Sequence, residues 1–163
     1  MSKTVKMITN TKNKRILLVD DEPDIALAFK IGLEDSGFVV DAFNDPKVAF
    51  SSFKSDFYDL LLLDIKMPIL NGIEFYQGMK EVDKKVKVCF ITASEVYYYE
   101  KIAKEIFPLL GAKRLLRKPI KIEDLVRFIR QELGLFCNSN NNNNNNNNNL
   151  HNKDSHSEYS LSS

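Results

Sequence analysis

The sequence lacks the features that mark several large classes of protein. No apolar stretch approaches the length of a membrane span, and the polar N-terminus has no signal-peptide core. Two cysteines, Cys89 and Cys137, cannot build a disulfide framework, and no CxxC spacing of a metal site is present. A G-x-G-x-x-G fingerprint and a P-loop are also missing. These absences predict a cytoplasmic protein that makes no use of a membrane or of those nucleotide-binding motifs.

Charge and composition divide the chain into three parts. The net charge is +1, which provides no global field for nucleic acid, and no DNA-binding domain is expected. Residues 1–13 are polar and basic, and residues 136–163 contain ten consecutive asparagines, Asn140–Asn149. Neither segment can bury enough apolar surface to offset its ordering entropy. We expect a disordered leader over 1–13, one folded domain over 14–135 and a disordered Asn-rich tail over 136–163, with no second folded domain.

Short apolar runs alternate with amphipathic segments in the middle part. Residues 60–63 are four leucines, and the shortness of this run favours a strand covered on both faces over a helix. The predicted strands are 16–19, 39–42, 60–63, 86–91 and 114–116, and the predicted helices are 23–36, 45–54, 72–82, 95–107 and 121–133. Five β-α repeats predict an α/β, flavodoxin-like three-layer sandwich with a parallel five-stranded sheet in the order 2-1-3-4-5.

Residues with useful chemistry follow four of the five predicted strands. Asp20, Asp21 and Glu22 follow the first strand, Asp64 the third, Thr92 ends the fourth, and Lys118 follows the fifth. The second strand contributes nothing obvious. Because ligands bind beyond the carboxyl ends of parallel strands, these groups should converge at one edge of the sheet.

The converging groups suit phosphoryl chemistry. Clustered carboxylates repel one another and favour a cation, and oxygen ligands of this kind select Mg²⁺. A carboxylate such as Asp64 can act as a nucleophile toward phosphorus. Lys118 and Thr92 can bind the transferred oxygens. Taken singly, each signal is weak: Asp20 and Asp21 could serve a helix N-terminus, and Thr92 could be an ordinary strand residue.

The motifs together resemble one family. They are Leu17-Leu18-Val19-Asp20-Asp21-Glu22, Leu62-Leu63-Asp64-Ile65-Lys66-Met67-Pro68 with Asn71-Gly72, Thr92-Ala93 and Lys118-Pro119. Over about residues 14–134 the chain resembles the receiver domains of two-component response regulators, of the stand-alone chemotaxis type. The resemblance implies that Asp64 accepts the phosphoryl group and that Thr92 and Lys118 assist. It also implies Mg²⁺ held by Asp20, Asp21, Asp64 and the backbone carbonyl of Lys66, and a cis bond between Lys118 and Pro119.

The resemblance further implies the partners. A sensor histidine kinase or a phosphotransfer protein would donate the phosphoryl group. A downstream protein would bind the face formed by the last two strands and the helices after them, where Tyr97, Tyr98 and Tyr99 are expected. Such a protein is a switch with at most intrinsic autodephosphorylation, not an enzyme acting on external substrates.

Two other functions share parts of this pattern. A phosphatase of the haloacid-dehalogenase type also uses strand-end Asp, Thr and Lys residues, but such enzymes carry a second acid two positions after the nucleophile, where this chain has Lys66. A pseudo-receiver would bind partners without accepting phosphate, yet all of the expected site residues are present here.

Two positions depart from the usual receiver pattern. Many receivers have an aromatic residue three positions before the lysine, where this chain has Leu115, so an inward-turning ring cannot accompany the motion of Thr92. Two positions after the phosphoacceptor lies Lys66, and the resemblance implies that this position lies beside the phosphoryl group.

We predict that the cation at position 66 alters the lifetime of phosphorylated Asp64. The substitution Lys66→Ala should change the autodephosphorylation half-life, because it removes a charge next to the phosphoryl oxygens. The half-life can be measured by following loss of the phosphorylated mass with time. An unchanged half-life would show that Lys66 does not influence hydrolysis.

Overall fold

A computed structural model describes residues 13–93, residue 104 and residues 115–135 of the chain. In that part, five strands are present: β1 (Arg15–Val19), β2 (Val39–Phe43), β3 (Leu60–Asp64), β4 (Lys87–Thr92) and β5 (Leu115–Arg117). The helices there are α1 (Pro23–Asp35), α2 (Pro46–Ser52), α3 (Gly72–Val82) and the final helix (Ile122–Glu132). The expected helix over 95–107, with its three tyrosines, lies outside the described residues apart from Lys104. Cys137, nearly all of the basic leader and the Asn-rich tail lie outside them as well.

The five strands form one parallel sheet in the order β2-β1-β3-β4-β5. β1 pairs with both β2 and β3, so that Leu17 lies between Asp41 and Leu61. β5 pairs with β4 at the edge, with Thr92 opposite Arg117. The flavodoxin-like order predicted from the β-α alternation is therefore confirmed.

Burial on both faces explains why a run of leucines forms a strand. Leu60, Leu61, Leu62 and Leu63 are all 0% exposed. Alternate leucines enter two different hydrophobic clusters on opposite faces of the sheet. A short central strand needs apolar side chains in both directions, and this tertiary requirement overrides the helix propensity of leucine.

The helices cover the two faces in pairs. α1 and the final helix pack on one face through buried residues that include Phe29, Leu33, Leu125 and Ile129. α2 and α3 pack on the other face through Ala49, Phe75, Tyr76 and Met79. None of the described helices has the length and apolar character that a bilayer crossing requires.

In the described part, no element boundary differs from the predicted one by more than two residues, and local bonds explain several of the differences. α2 begins at Pro46 because Asp45 is its N-cap, accepting from the backbone N–H groups of Lys47 and Val48. It ends at Ser52 because Phe53 has an extended backbone and its ring stacks on Tyr58. β4 starts one residue late because the Val86 N–H donates to the Asp83 carboxylate, 3.1 Å away.

The start of α3 is packed against the backbone that carries Asp64. Asn71 and Glu74 form a capping box there. A Cβ at Gly72 would overlap the Asp64 carbonyl oxygen and lie 3.0 Å from the carbonyl carbon of the same residue. Only glycine therefore allows this helix to begin so close to the end of β3.

We predict that Gly72→Ala destabilises the protein by about 2 kcal/mol or more, because the new methyl group collides with backbone atoms that cannot move independently. The matched control is Gly78→Ala, in the same helix. Its methyl group would meet only the Phe50 ring, 2.6 Å away, and that side chain is partly exposed and can shift. Urea unfolding of both variants measures the difference. Equal effects would contradict the close approach at Gly72.

Candidate functional site

The first acidic pair lies directly after β1, at the carboxyl edge of the sheet. Asp20 is buried and Asp21 is half-buried. The Asp20 backbone is fixed on the β2 side: its N–H donates to the Phe43 carbonyl at 3.2 Å, and its carbonyl accepts from the Asn44 side chain at 2.9 Å. One carboxylate oxygen of Asp20 also accepts from the Glu22 backbone N–H at 3.0 Å. These bonds hold the Asp20 carboxylate in one orientation.

Asp64 is the last residue of β3 and is only 4% exposed. Its Oδ1 accepts from the Lys66 backbone N–H at 3.0 Å. The following Ile65 N–H donates to the Ile91 carbonyl at 2.9 Å, which ties the start of the loop to β4. The carboxylate therefore projects from a backbone that is anchored both to the neighbouring strand and to the start of α3.

Lys118 reaches the same place from β5. Its backbone N–H donates to the Thr92 carbonyl at 2.9 Å, and the peptide bond to Pro119 is cis, as the family resemblance implied. Its Nζ lies 2.7 Å from Asp64 Oδ2, 2.8 Å from Asp20 Oδ2 and 3.2 Å from Glu22 Oε1. The Lys118 side chain is 7% exposed and those of Asp20 and Asp64 are 2% and 4% exposed, so these two ion pairs are mostly shielded from water. The Glu22 side chain is 55% exposed.

Negative charge exceeds positive charge at this site. Burial raises the pKa of the Asp20 carboxyl, and the charge of Asp64 adds to the effect, although hydrogen bonding to Lys118 opposes it. Burial alone would lower the pKa of Lys118, but its bonds to Asp20 and Asp64 outweigh burial and raise it. Two buried carboxylates and the half-buried Asp21 thus surround a single ammonium group, which cannot neutralise all of them.

The acidic cluster fits a divalent cation. Asp20, Asp21 and Asp64 each offer an oxygen, and these oxygens all lie within 4.8 Å of one another. Two of the three carboxylates are buried, and carboxylate oxygens are the hard ligands that Mg²⁺ prefers in proteins. A bound dication would offset the excess negative charge that Lys118 leaves.

The remaining predicted positions lie around this cluster. Thr92 ends β4 and is fully buried at the edge of the sheet, next to the backbone of Lys118. Lys66 is exposed on the loop after Asp64. Leu115 is half-buried and packs against the cluster beneath α2 and α3. The structure thus brings Asp20, Asp21, Asp64 and Lys118 together, while Leu115 belongs to the core.

Sequence reasoning missed two contributions. No site residue is predicted after the second strand, yet the side chain of Asn44, which follows β2, donates to the Asp20 carbonyl. A polar residue directly after a strand was the available signal. Glu22 was noted as an acid, but its pairing with Lys118, 96 residues away, depends on the folded sheet.

Comparison with known proteins points to one family. The family model described as "Response regulator receiver domain" matches residues 16–130. The response regulator receiver protein CpdR of Brucella abortus is 33% identical over 123 residues, which are 74% of this chain and 97% of that protein. The transcriptional regulatory protein PrrA of Mycobacterium bovis is 31% identical over 124 residues, 76% of this chain and 52% of that protein. The chain thus spans about half the length of PrrA.

A solved structure gives the same result at the level of the fold. The response regulator protein TrrA of Thermotoga maritima, solved in complex with Mg(2+)-BeF, superposes with a TM-score of 0.59 and 28% sequence identity. The match covers 74% of this chain and 98% of that chain.

Proposed function

We propose that this chain, which belongs to the family of response regulator receiver domains of two-component systems, accepts a phosphoryl group on Asp64. The observation that carries this proposal is the convergence on Lys118 of two buried carboxylates, Asp20 and Asp64, with Asp21 beside them. One of these carboxylates must act as the nucleophile, while the other groups neutralise the charge of the phosphoryl group and of its metal ion. We extend the proposal to domain organisation: residues 14–135 form the receiver unit.

Asp64 is placed to be the nucleophile. It ends the central strand β3, beside the acids that follow β1, and Lys118, which follows β5, reaches it with its ammonium group. In the reaction a carboxylate oxygen of Asp64 attacks phosphorus and forms an O–P bond. The N–P bond of a donor phosphohistidine breaks, and the imidazole nitrogen keeps the electron pair. The product is an acyl phosphate on Asp64.

The other residues bind and neutralise the transferred group. Asp20 and Asp21, with Asp64 and the Lys66 carbonyl, would hold Mg²⁺, which supplies electrostatic stabilisation to the phosphoryl oxygens. The Lys118 ammonium binds the same oxygens as a point charge. Thr92 donates its hydroxyl proton to one of them. The similar response regulator TrrA was solved in complex with Mg(2+)-BeF, which supports the binding of Mg²⁺ by this chain.

The consequence of phosphorylation is a change in partner binding. A phosphoryl group adds about two negative charges and strong hydrogen-bond acceptors. Receiver domains interact with histidine kinases and with downstream effectors, and we assign the donor role to a histidine kinase or phosphotransfer protein. We assign the output surface to the face formed by β4, β5 and the helices predicted after them, biased by Thr92 and Lys118.

A phosphatase acting on external substrates is disfavoured by the site. Phosphatases of the haloacid-dehalogenase type typically carry a second acid two positions after the nucleophile, where it serves as acid and base. Lys66 occupies that position and is exposed, with its backbone N–H directed at Asp64. We therefore propose a switch whose only turnover is slow hydrolysis of its own acyl phosphate.

We predict that acetyl phosphate and Mg²⁺ add one phosphoryl group to the intact protein, as measured by mass spectrometry. The adduct should be lost in Asp64→Asn and retained in Asp59→Asn. Asp59 immediately precedes β3 and pairs with Lys14, so its substitution removes a similar charge at the opposite end of the same strand. Omitting Mg²⁺ should slow phosphorylation at least about 100-fold.

Three results would contradict this proposal in different ways. No adduct on the wild-type protein would indicate a pseudo-receiver. An adduct that survives in Asp64→Asn would place the phosphoryl group elsewhere. Many turnovers of a phosphoester per protein molecule would indicate a phosphatase.

A further inference from the structure

The Lys118 ammonium already has a full set of acceptors. An ammonium group has three protons to donate. In the described part of the chain, three carboxylates lie within ion-pair distance of Nζ: those of Asp64, Asp20 and Glu22. A phosphoryl oxygen can therefore bind Lys118 only if one of these carboxylates leaves.

Glu22 is the acceptor that leaves most easily. Its contact with Lys118 is the longest of the three, 3.2 Å compared with 2.7 and 2.8 Å. Its side chain is 55% exposed, whereas those of Asp20 and Asp64 are 2% and 4% exposed. A released Glu22 carboxylate would be hydrated at once, whereas Asp20 and Asp64 are buried and would depend on a bound cation for their counter-charge.

The backbone of Glu22 points to the same role. Glu22 is the N-cap residue of α1, and its carbonyl accepts from the Ala26 N–H at 3.0 Å. N-cap side chains usually bind the first free N–H groups of the helix. The Glu22 side chain makes no such bond and reaches Lys118 instead. The residue is fixed by its backbone while its side chain is free to exchange partners.

We propose that Glu22 is a positioning residue that occupies Lys118 in the resting protein and is displaced by the arriving phosphoryl group. This inference rests on the proposed function at Asp64. Glu22 holds the ammonium at the site before the donor arrives, and its release is part of the barrier to phosphorylation. Weakening the Glu22–Lys118 pair should therefore speed phosphorylation.

The test compares three variants with the wild-type protein. Glu22→Gln removes the charge that binds Lys118. Glu22→Asp keeps the charge but shortens the side chain, so that the 3.2 Å contact is lost. The control is Asp24→Asn: Asp24 lies in the first turn of α1 and lines the same groove as Glu22 and Lys118, but it is not one of the three carboxylates on Nζ.

The measurement is the rate constant of phosphorylation by acetyl phosphate in excess Mg²⁺, followed by intact mass. We expect Glu22→Gln and Glu22→Asp to accelerate it about threefold to tenfold, and Asp24→Asn by less than about twofold. Melting temperatures verify that all variants are folded.

Other outcomes overturn the inference. Unchanged or slower phosphorylation of Glu22→Gln would show that Glu22 does not compete for Lys118. Equal acceleration in Glu22→Gln and Asp24→Asn, with none in Glu22→Asp, would show a general charge effect without a specific contact. These results leave the role of Asp64 intact if the wild-type protein forms an adduct; if it forms none, both proposals fail.

Discussion

One ammonium group shared by several carboxylates is the interaction on which this site depends. The Lys118 Nζ lies within 2.8 Å of carboxylate oxygens of Asp20, which follows β1, and Asp64, which ends β3. The Lys118 side chain is itself almost fully buried. Ion pairs in such surroundings have little water to screen them, so removal of a charge of either sign changes the stability of the fold strongly. The ammonium keeps the acids together, but it leaves net negative charge. This imbalance makes the site suitable for a dication and for a reaction that brings phosphoryl oxygens to Lys118.

The sheet makes that arrangement possible by fixing backbone on every side of the site. Asp20 is bound to the end of β2, Lys118 to the end of β4, and the residue after Asp64 to β4 as well. The close packing of Gly72 on the Asp64 carbonyl fixes the loop from the other direction. Side chains that start from backbone held in this way lose little further entropy when they adopt one geometry, and this is the basis of preorganised electrostatics.

Much of this arrangement could be predicted from the sequence, for identifiable reasons. The β-α alternation defined the sheet order, and strand ends defined where Asp20, Asp64 and Lys118 meet. Contacts between residues that are distant in the sequence were harder to predict. The pairing of Glu22 with Lys118 can be predicted only when the fold is known. The hydrogen bond from Asn44 to Asp20 depends on the register between β1 and β2. The end of α2 at Ser52 was missed because stacking of Phe53 on Tyr58, a tertiary contact, stops the helix.

The most direct test of the charge imbalance is thermal unfolding of the wild-type protein and Asp20→Asn, each with a chelator and with Mg²⁺. Burial raises the pKa of Asp20 above its usual value of 3.8, so the ionised carboxyl destabilises the fold as pH rises through the folded pKa. The account predicts that with chelator at neutral pH the variant melts at the higher temperature, and that this advantage disappears below about pH 4. Mg²⁺ should raise the melting temperature of the wild-type protein more than that of the variant. A variant that is less stable than the wild type with chelator, together with no effect of Mg²⁺ on either protein, would contradict the account.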